Sequence, residues 1–428
     1  MRRLTSIVSL FMVVFATTAT LAVAQPGTPT TGTPGATGRY IVVLNDAAGN
    51  SNDVAAAMGQ QHGFQSDFVY EHALHGYAAV IPPPRLAQVK ADPRVRFVSE
   101  DRAVHTQGKP TPTPSVATQT APSGVRRIGA SSNGTTQTLT STGKGIGVAV
   151  IDTGIDLAHP DLTGAVSGKN CLNPRQSAND DNGHGTHVAG TIAARDNGQG
   201  VVGVAPGVTL YAVKVLDATG SGTWSQIICG IDWVTANAGK IQVANMSLGG
   251  GGGATPSNAD CTNGNNDALH TAICTSVRAN VTYVVAAGNS GADAATFVPA
   301  AYAEVIAVSA MDPTNSAMAD FSNFGGAVDI AGPGVNIYST YKGGGYATLS
   351  GTSMASPHVT GAAALWVQAR GVRVPADVLT GLRAAGECPS GIPGTRFASD
   401  GNHNGDPYTC ATAWGGAPNH NEPLVHVK

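Results

Sequence analysis

Charge is scarce in this chain. Asp, Glu, Lys and Arg make up 12% of its 428 residues, about half the usual share. That scarcity, with 42% hydrophobic residues and 55 glycines, excludes a disordered polyelectrolyte and implies a compact, loop-rich globular protein. The formal net charge is -3 and no basic stripe is present. Nothing in the chain would displace counterions from phosphates, which argues against a nucleic-acid partner. No second membrane-length apolar stretch follows the N-terminal one, no cysteines stand in a CxxC pair, and no internal repeat is visible. The length allows roughly two or three domains and a sizeable core.

What is present begins with "MRRLTSIVSLFMVVFATTATLAVAQ". Arg2 and Arg3 precede the apolar run Ile7–Phe15, and Ala22-Val23-Ala24 supplies small residues for cleavage. Residues 1–24 are therefore expected to be a secretory signal peptide, with a secreted, extracellular product and no membrane association once it is removed. A membrane anchor is the competing reading, but the run is short for a span. Six cysteines suit an oxidising compartment with up to three disulfides. Proximity in sequence favours Cys261 with Cys274 and Cys388 with Cys410, leaving Cys171 with Cys229, although other pairings are open.

Residues 25–38 form a Pro/Gly/Thr linker. The next segment, 39–105, reads as strand Tyr40–Leu44, helix Val54–Gln61, strands Asp67–Tyr70 and Gly76–Ile81, helix Arg85–Lys90 and strand Val95–Val98. That order predicts a small ferredoxin-like α+β domain. A second linker, 106–118, begins the proline-rich, exposed and cleavable stretch "GKPTPTPSVATQTAPSG". Across 119–386 short β-branched runs ("IGVAVI", "VTLYAVKVL", "IQVANMSL", "VTYVVAAG", "VIAVSA") alternate with helical segments, which predicts an α/β fold on a buried parallel sheet. Residues 387–428 look like an irregular, Cys-containing C-terminal extension.

In such a fold, ligands gather at the C-terminal ends of strands. The first run ends at Asp152, the third at Ser247 and the fourth at Gly288-Asn289. Asp152 reads either as a turn aspartate or as an acid with buried partners. In "NDDNGHGTHVAGTIAA", glycines flank His184, and His187 lies three residues on. The pair suits a base, or a metal with Asp180 and Asp181 nearby, though the glutamate of an HExxH site is missing. Ser353, in "SGTSMASPHVTGAAALW", stands among small residues where an apolar helix starts. It is either a helix cap or a nucleophile awaiting a base and an orienting acid. Asn289 reads as a turn residue or as an oxyanion donor. No GxSxG elbow surrounds Ser353.

Together, "VIDTGID", "NGHGTHVAGTIA", "NMSLGG", "VVAAGNSG" and "GTSMASPHVTGAAAL" closely resemble the subtilisin-like serine proteases, the proteinase K-type branch most of all. The resemblance implies a secreted serine endopeptidase with Asp152 as orienting acid, His184 as base, Ser353 as nucleophile and Asn289 as oxyanion donor, and with His187 structural. It implies that peptide substrates add as a strand between Gly220-Ser221-Gly222 and Ser247-Leu248-Gly249. Gly249 with Ala287-Gly288 would then line a pocket favouring apolar side chains before the scissile bond. It further implies that 39–105 is an inhibitory prosegment that assists folding, acting as the enzyme's own intramolecular inhibitor. Processing is expected in the joint, near Ser115 to Thr118. The resemblance implies no catalytic cofactor, a structural calcium ion at Asp329 with the loop Pro299–Val305, and a monomer.

Overall fold

The computed structural model describes residues 38–106, 109–112, 118–252, 261, 266–388 and 422–427, with backbone alone for 109–112. The expected signal peptide, the first linker, most of the second and most of the C-terminal extension lie outside the described residues.

The N-terminal unit follows the predicted order: β1 (Arg39–Leu44), α1 (Ser51–His62), β2 (Ser66–Tyr70), β3 (Gly76–Val80), α2 (Pro83–Lys90) and β4 (Val95–Glu100). Asn50 caps α1 by accepting the Asn52 and Asp53 N–H groups at 2.9 and 3.3 Å, as asparagine does well. The strands pair antiparallel in the order β2-β3-β1-β4. Both faces of this sheet are covered. Val42, Leu44, Tyr77 and Ala79 pack with Val54, Ala55 and Met58 of α1 and Val89 of α2. The alternate residues Ile41, Val43, Ala78 and Phe97 point the other way, into a core shared with the larger unit. The period-two alternation of a strand explains why "YIVVL" is apolar throughout.

After this unit come β5 (Ala103–Thr106), β6 (Lys109–Pro112), α3 (Ser123–Arg127), β7 (Gly147–Asp152), β8 (Val166–Asn170), α4 (His184–Ala193), β9 (Thr209–Lys214), β10 (Ser221–Thr223) and α5 (Trp224–Ala236). There follow β11 (Val243–Met246), β12 (Leu248–Gly251), α6 (Ala268–Arg278), β13 (Thr282–Ala286), β14 (Phe297–Val298), β15 (Ile306–Met311), β16 (Ile330–Pro333), β17 (Ile337–Tyr341), β18 (Gly345–Ser350), α7 (Thr352–Arg370) and α8 (Pro375–Ala385). Seven strands form one sheet in the order β16-β15-β13-β11-β7-β9-β8, and every pairing in it is parallel. Val148, Val150, Val243, Val284 and Val308 face α4 and α7 in one core. Ala149, Ile151, Ala244, Met246 and Val285 face α5 and α6 in the other. Burial on both faces is what makes these runs uniformly apolar.

Two disulfides are as expected, Cys171–Cys229 and Cys261–Cys274. Cys388 is also disulfide-bonded, to a partner outside the described residues. No helix among the described residues is long and apolar enough to cross a membrane. Part of the C-terminal extension is tied to the sheet edge. The Ala331 N–H donates to Pro423 O, the Val425 N–H donates to Ala331 O, and Leu424 pairs with Glu387, so the segment Glu422–Val427 covers the edge strand β16. Leu424 is fully buried against Met311, Met318 and Ala331. Leu424→Ala is expected to cost about 2–5 kcal/mol, read as a lowered urea midpoint.

Candidate active site

Successive strands are added on one side of β7 as far as β9, and then on the other side from β11 onward. A crevice opens where the order switches, at the strands' C-terminal ends. Asp152 ends β7 there and is fully buried. Its Oδ1 accepts the Thr153 N–H at 2.7 Å and faces His184 Nδ1 at 2.8 Å. A carboxylate accepts only, so the contact puts the imidazole proton on Nδ1 and leaves Nε2 as the basic nitrogen. Nε2 has no hydrogen-bond partner among the described residues. His184 opens α4 after Gly183, whose φ of 112° few other residues adopt. Gly185 lets the two segments meet, since a Cβ there would lie 2.1 Å from Gly154 O and 3.2 Å from the Asp152 carboxylate.

Asp180 organises this corner. It accepts from Thr153 Oγ1 at 2.9 Å, the Asn182 and Gly183 N–H groups at 2.9 Å, the Thr186 N–H at 3.0 Å and Thr186 Oγ1 at 2.6 Å. It thus caps the helix that carries His184 and anchors the turn after Asp152. Buried Lys214 fixes the same turn from below, donating to Thr153 O, Leu216 O and Asp181 Oδ1. Sequence reasoning assigned neither role, although an aspartate just ahead of a helix start is a capping signal.

Ser353 lies in the first turn of α7, fully buried. Its hydroxyl donates to Ser247 O at 3.0 Å, and the Ser247 hydroxyl donates back to Ser353 O at 2.9 Å. Pro357 explains the second bond: a residue with an N–H at that position would claim the Ser353 carbonyl, and proline cannot. Asn245 of β11 braces the contact, its amide bridging Ser247, Ser356 and Thr360 at 2.8–2.9 Å. Asn289 accepts the Thr352 N–H and hydroxyl at 2.9 and 2.8 Å through Oδ1, which fixes how its amide is turned beside Ser353.

Both predicted peptide-binding edges flank an extended strand, and it is the chain's own. β5 lies between β10 and β12, with His105 opposite Ser221 and Gly249, Val104 opposite Gly222, and Thr106 opposite Leu248. The Thr106 N–H donates to Gly220 O at 2.9 Å. Ala287 and Gly288 follow β13, and the ring of Phe297 lies against both glycines of the expected pocket, 2.3 Å from a Cβ built on Gly249 and 3.1 Å from one on Gly288. Phe297 is a further residue that sequence reasoning missed.

Residues 143–381 match the Subtilase family, and residues 39–107 match Peptidase inhibitor I9. The chain belongs to the subtilase family. It is 42% identical over 326 residues to the extracellular serine proteinase of Thermus sp. (strain Rt41A), covering 75% of this chain and 73% of that one. It is also 42% identical over 307 residues to subtilisin E of Bacillus subtilis (strain 168), covering 70% and 72%. A solved cold-adapted subtilisin-like serine proteinase superposes with a TM-score of 0.56 at 32% identity, covering 72% of this chain and 98% of that one. This subtilase is a peptidase with an I9-type prosegment.

Within the subtilase unit His187 is buried and turned toward β17 and β18. Its Nε2 contacts the Ile337 and Ala347 carbonyls at 3.0 and 3.2 Å, and burial pushes its pKa down to about 3. Asp329, where a calcium ion is expected, already has protein partners. Oδ1 holds the Arg383 guanidinium at 3.0 Å and Oδ2 accepts the Ala307 N–H at 2.9 Å, so both oxygens face N–H donors. Cys261, His270, Cys274 and Glu304 also cluster, but the two sulfurs are joined to each other.

Asp180→Ala strands several buried donors, each costing about 1–3 kcal/mol. It should lower the urea stability of the protein by about 3 kcal/mol or more and reduce kcat/KM through a displaced His184.

Proposed function

We propose that the chain is a secreted endopeptidase, made as a self-inhibited zymogen and hydrolysing peptide bonds through an acyl-enzyme on Ser353. The observation that carries this is the buried Asp152–His184 pair at 2.8 Å, on a helix, α4, that packs against α7, which holds Ser353 in its first turn. The Ser353 hydroxyl turns from the Ser247 carbonyl to His184 Nε2 and attacks the scissile carbonyl carbon as the imidazole takes its proton. Asp152 keeps the ring in place and stabilises the imidazolium. The oxyanion is met by the Asn289 amide and the Ser353 N–H, where the unpaired groups and dipole of α7 favour negative charge. The imidazolium then protonates the leaving amine. Water, activated by the same base, releases the acid and restores Ser353.

Substrate pairs through backbone atoms with Gly220–Gly222 and Ser247–Gly249, so sequence demand is low. The Phe297 ring beside Gly249 and Gly288 supports a preference for apolar residues before the scissile bond. Secretion is supported by the Arg2-Arg3 and Ile7–Phe15 pattern and by a relative described as extracellular. The branch resemblance to the proteinase K type, the monomeric state and the ferredoxin-like description of the prosegment, supported by its strand order, belong to the same proposal.

Inhibition rests on a polar clamp around α5. Asp101 accepts the Ser225 N–H at 2.8 Å and the Ser225 hydroxyl at 2.7 Å at the helix N-terminus, where a carboxylate is favoured. Asp232, farther along α5, accepts three consecutive N–H groups, of Glu71, His72 and Ala73, at 2.7–3.1 Å. Tyr70 donates to Ser225 O at 3.0 Å between them.

Ser353→Ala should remain full-length and inactive on intact mass and peptide assay. Asn289→Ala should lose about 10²–10³-fold in kcat with KM little changed. Asp232→Ala, giving up about 2 kcal/mol of charge-assisted bonding, should release activity after processing roughly 30-fold sooner, followed as a lag in peptide hydrolysis.

A further inference from the structure

Helix α6 gathers a set of side chains that the proposed hydrolysis does not use. His270 and Cys274 stand four residues apart on it, so they share one face. Cys261 joins that face through its bond to Cys274, and its carbonyl accepts from the Arg278 guanidinium one turn further on. Glu304, just ahead of β15, meets His270 Nε2 at 2.7 Å through Oε2. One ligand atom from each of the four lies within 4.8 Å of every other. His270 and Cys274 are both buried. The His270 ring is held against Tyr302, with centroids 4.5 Å apart, and the Tyr302 hydroxyl is fixed in turn by donating to Asp267 Oδ2 at 2.7 Å.

Two sulfurs, an imidazole nitrogen and a carboxylate oxygen make up a zinc donor set. A tetrahedral zinc ion with bonds of about 2.0–2.3 Å separates its ligand atoms by about 3.3–3.8 Å, so these four groups are close enough to surround one ion once the sulfurs part. A disulfide alone accounts for the two cysteines, but not for a buried imidazole and a carboxylate gathered beside them. Among the described residues, no other group of three or more His, Cys, Asp or Glu side chains has metal-holding geometry, so Cys171–Cys229 lacks such neighbours.

We propose that Cys261, Cys274, His270 and Glu304 form a zinc site that is open only while the Cys261–Cys274 bond is reduced. Two equivalents of a thiol reductant supply two electrons. The sulfur–sulfur bond breaks, leaving two protein thiols and the reductant's own disulfide. Zinc then displaces both thiol protons, and the imidazole and carboxylate complete its shell. In reverse, a disulfide oxidant takes two electrons from the two thiolates, the bond re-forms and Zn²⁺ leaves with its charge unchanged. In the reduced chain the ion ties Cys261 to α6, as the disulfide does in the oxidised one. The start of the same helix receives the N-terminal unit, since Ser99 accepts the Ala268 N–H at 3.2 Å and donates to Asn266 O at 2.9 Å. Metal and disulfide thus serve in turn to hold the helix on which the prosegment sits.

The test takes the full chain as Ser353→Ala, reduces it, removes the reductant under argon and titrates it with Co²⁺ and then Zn²⁺. One equivalent of Co²⁺ should bind with the visible absorption of a tetrahedral, sulfur-ligated ion, and Zn²⁺ should displace it. The oxidised chain should bind none. His270→Gln and Glu304→Gln should each weaken binding by at least the ~10–100-fold that loss of an outer-shell partner costs. On peptide mapping, zinc should slow the re-formation of Cys261–Cys274 by glutathione disulfide and leave Cys171–Cys229 unaffected. Where circular dichroism shows that reducing every bridge unfolds the chain, Cys261→Asp keeps the other bridges closed and puts a carboxylate in place of the sulfur. That variant should bind one zinc ion without reductant, and adding His270→Gln should abolish it. No bound equivalent in the folded reduced chain, or in Cys261→Asp where reduction unfolds it, would overturn the site. So would equal affinity after His270→Gln.

Discussion

A single buried carboxylate constrains everything around it. Asp152 has no exposed surface, and a charge in that position is expensive unless hydrogen-bonded groups surround it. The Thr153 N–H and the His184 ring meet that requirement at Oδ1, while Oδ2 has no hydrogen-bond partner among the described residues. Both are held by parts that touch no substrate. Asp180 ties the turn after β7 to the start of α4, Lys214 holds the turn from below, and Gly185 permits the approach. The close approach of Asp152 and His184 follows from how these segments are tied together.

The other half of the site depends on close packing of α7 against the end of β11. Reciprocal bonds between Ser247 and Ser353, one of them opened by Pro357, join the first turn of α7 to the residue that leads into β12. The prosegment exploits the same edges and adds Asp101 and Asp232 contacts on α5 that a short peptide substrate lacks. Enzyme and inhibitor share one backbone-pairing chemistry and differ in how much surface surrounds it.

Much of this was legible in the chain. The runs around Val148–Ile151 and Val243–Met246 are apolar at every position because both faces of the sheet are covered, and that pattern needs no tertiary information. Asp152, His184, Ser353 and Asn289 were picked out as candidates from strand ends, flanking glycines and a helix start, with the resemblance choosing among alternatives. Asp180, Lys214 and Phe297 were not legible as parts of the site, because their roles arise from segments distant in sequence. The Arg383–Asp329 pair joins residues 54 apart, so the local "VDIAGPG" motif gave no sign of it. The segment Glu422–Val427 looked irregular because a single edge-covering segment has neither helical nor long alternating periodicity.

The central claim is that Asp152 makes His184 a base for Ser353. The most direct measurement is the first-order rate of self-cleavage on refolding, compared between the wild type and Asp152→Asn of matching circular dichroism. An amide preserves shape but neither stabilises the imidazolium nor enforces the tautomer. The account predicts a rate about 10⁴-fold lower. A rate within about tenfold of wild type would contradict it.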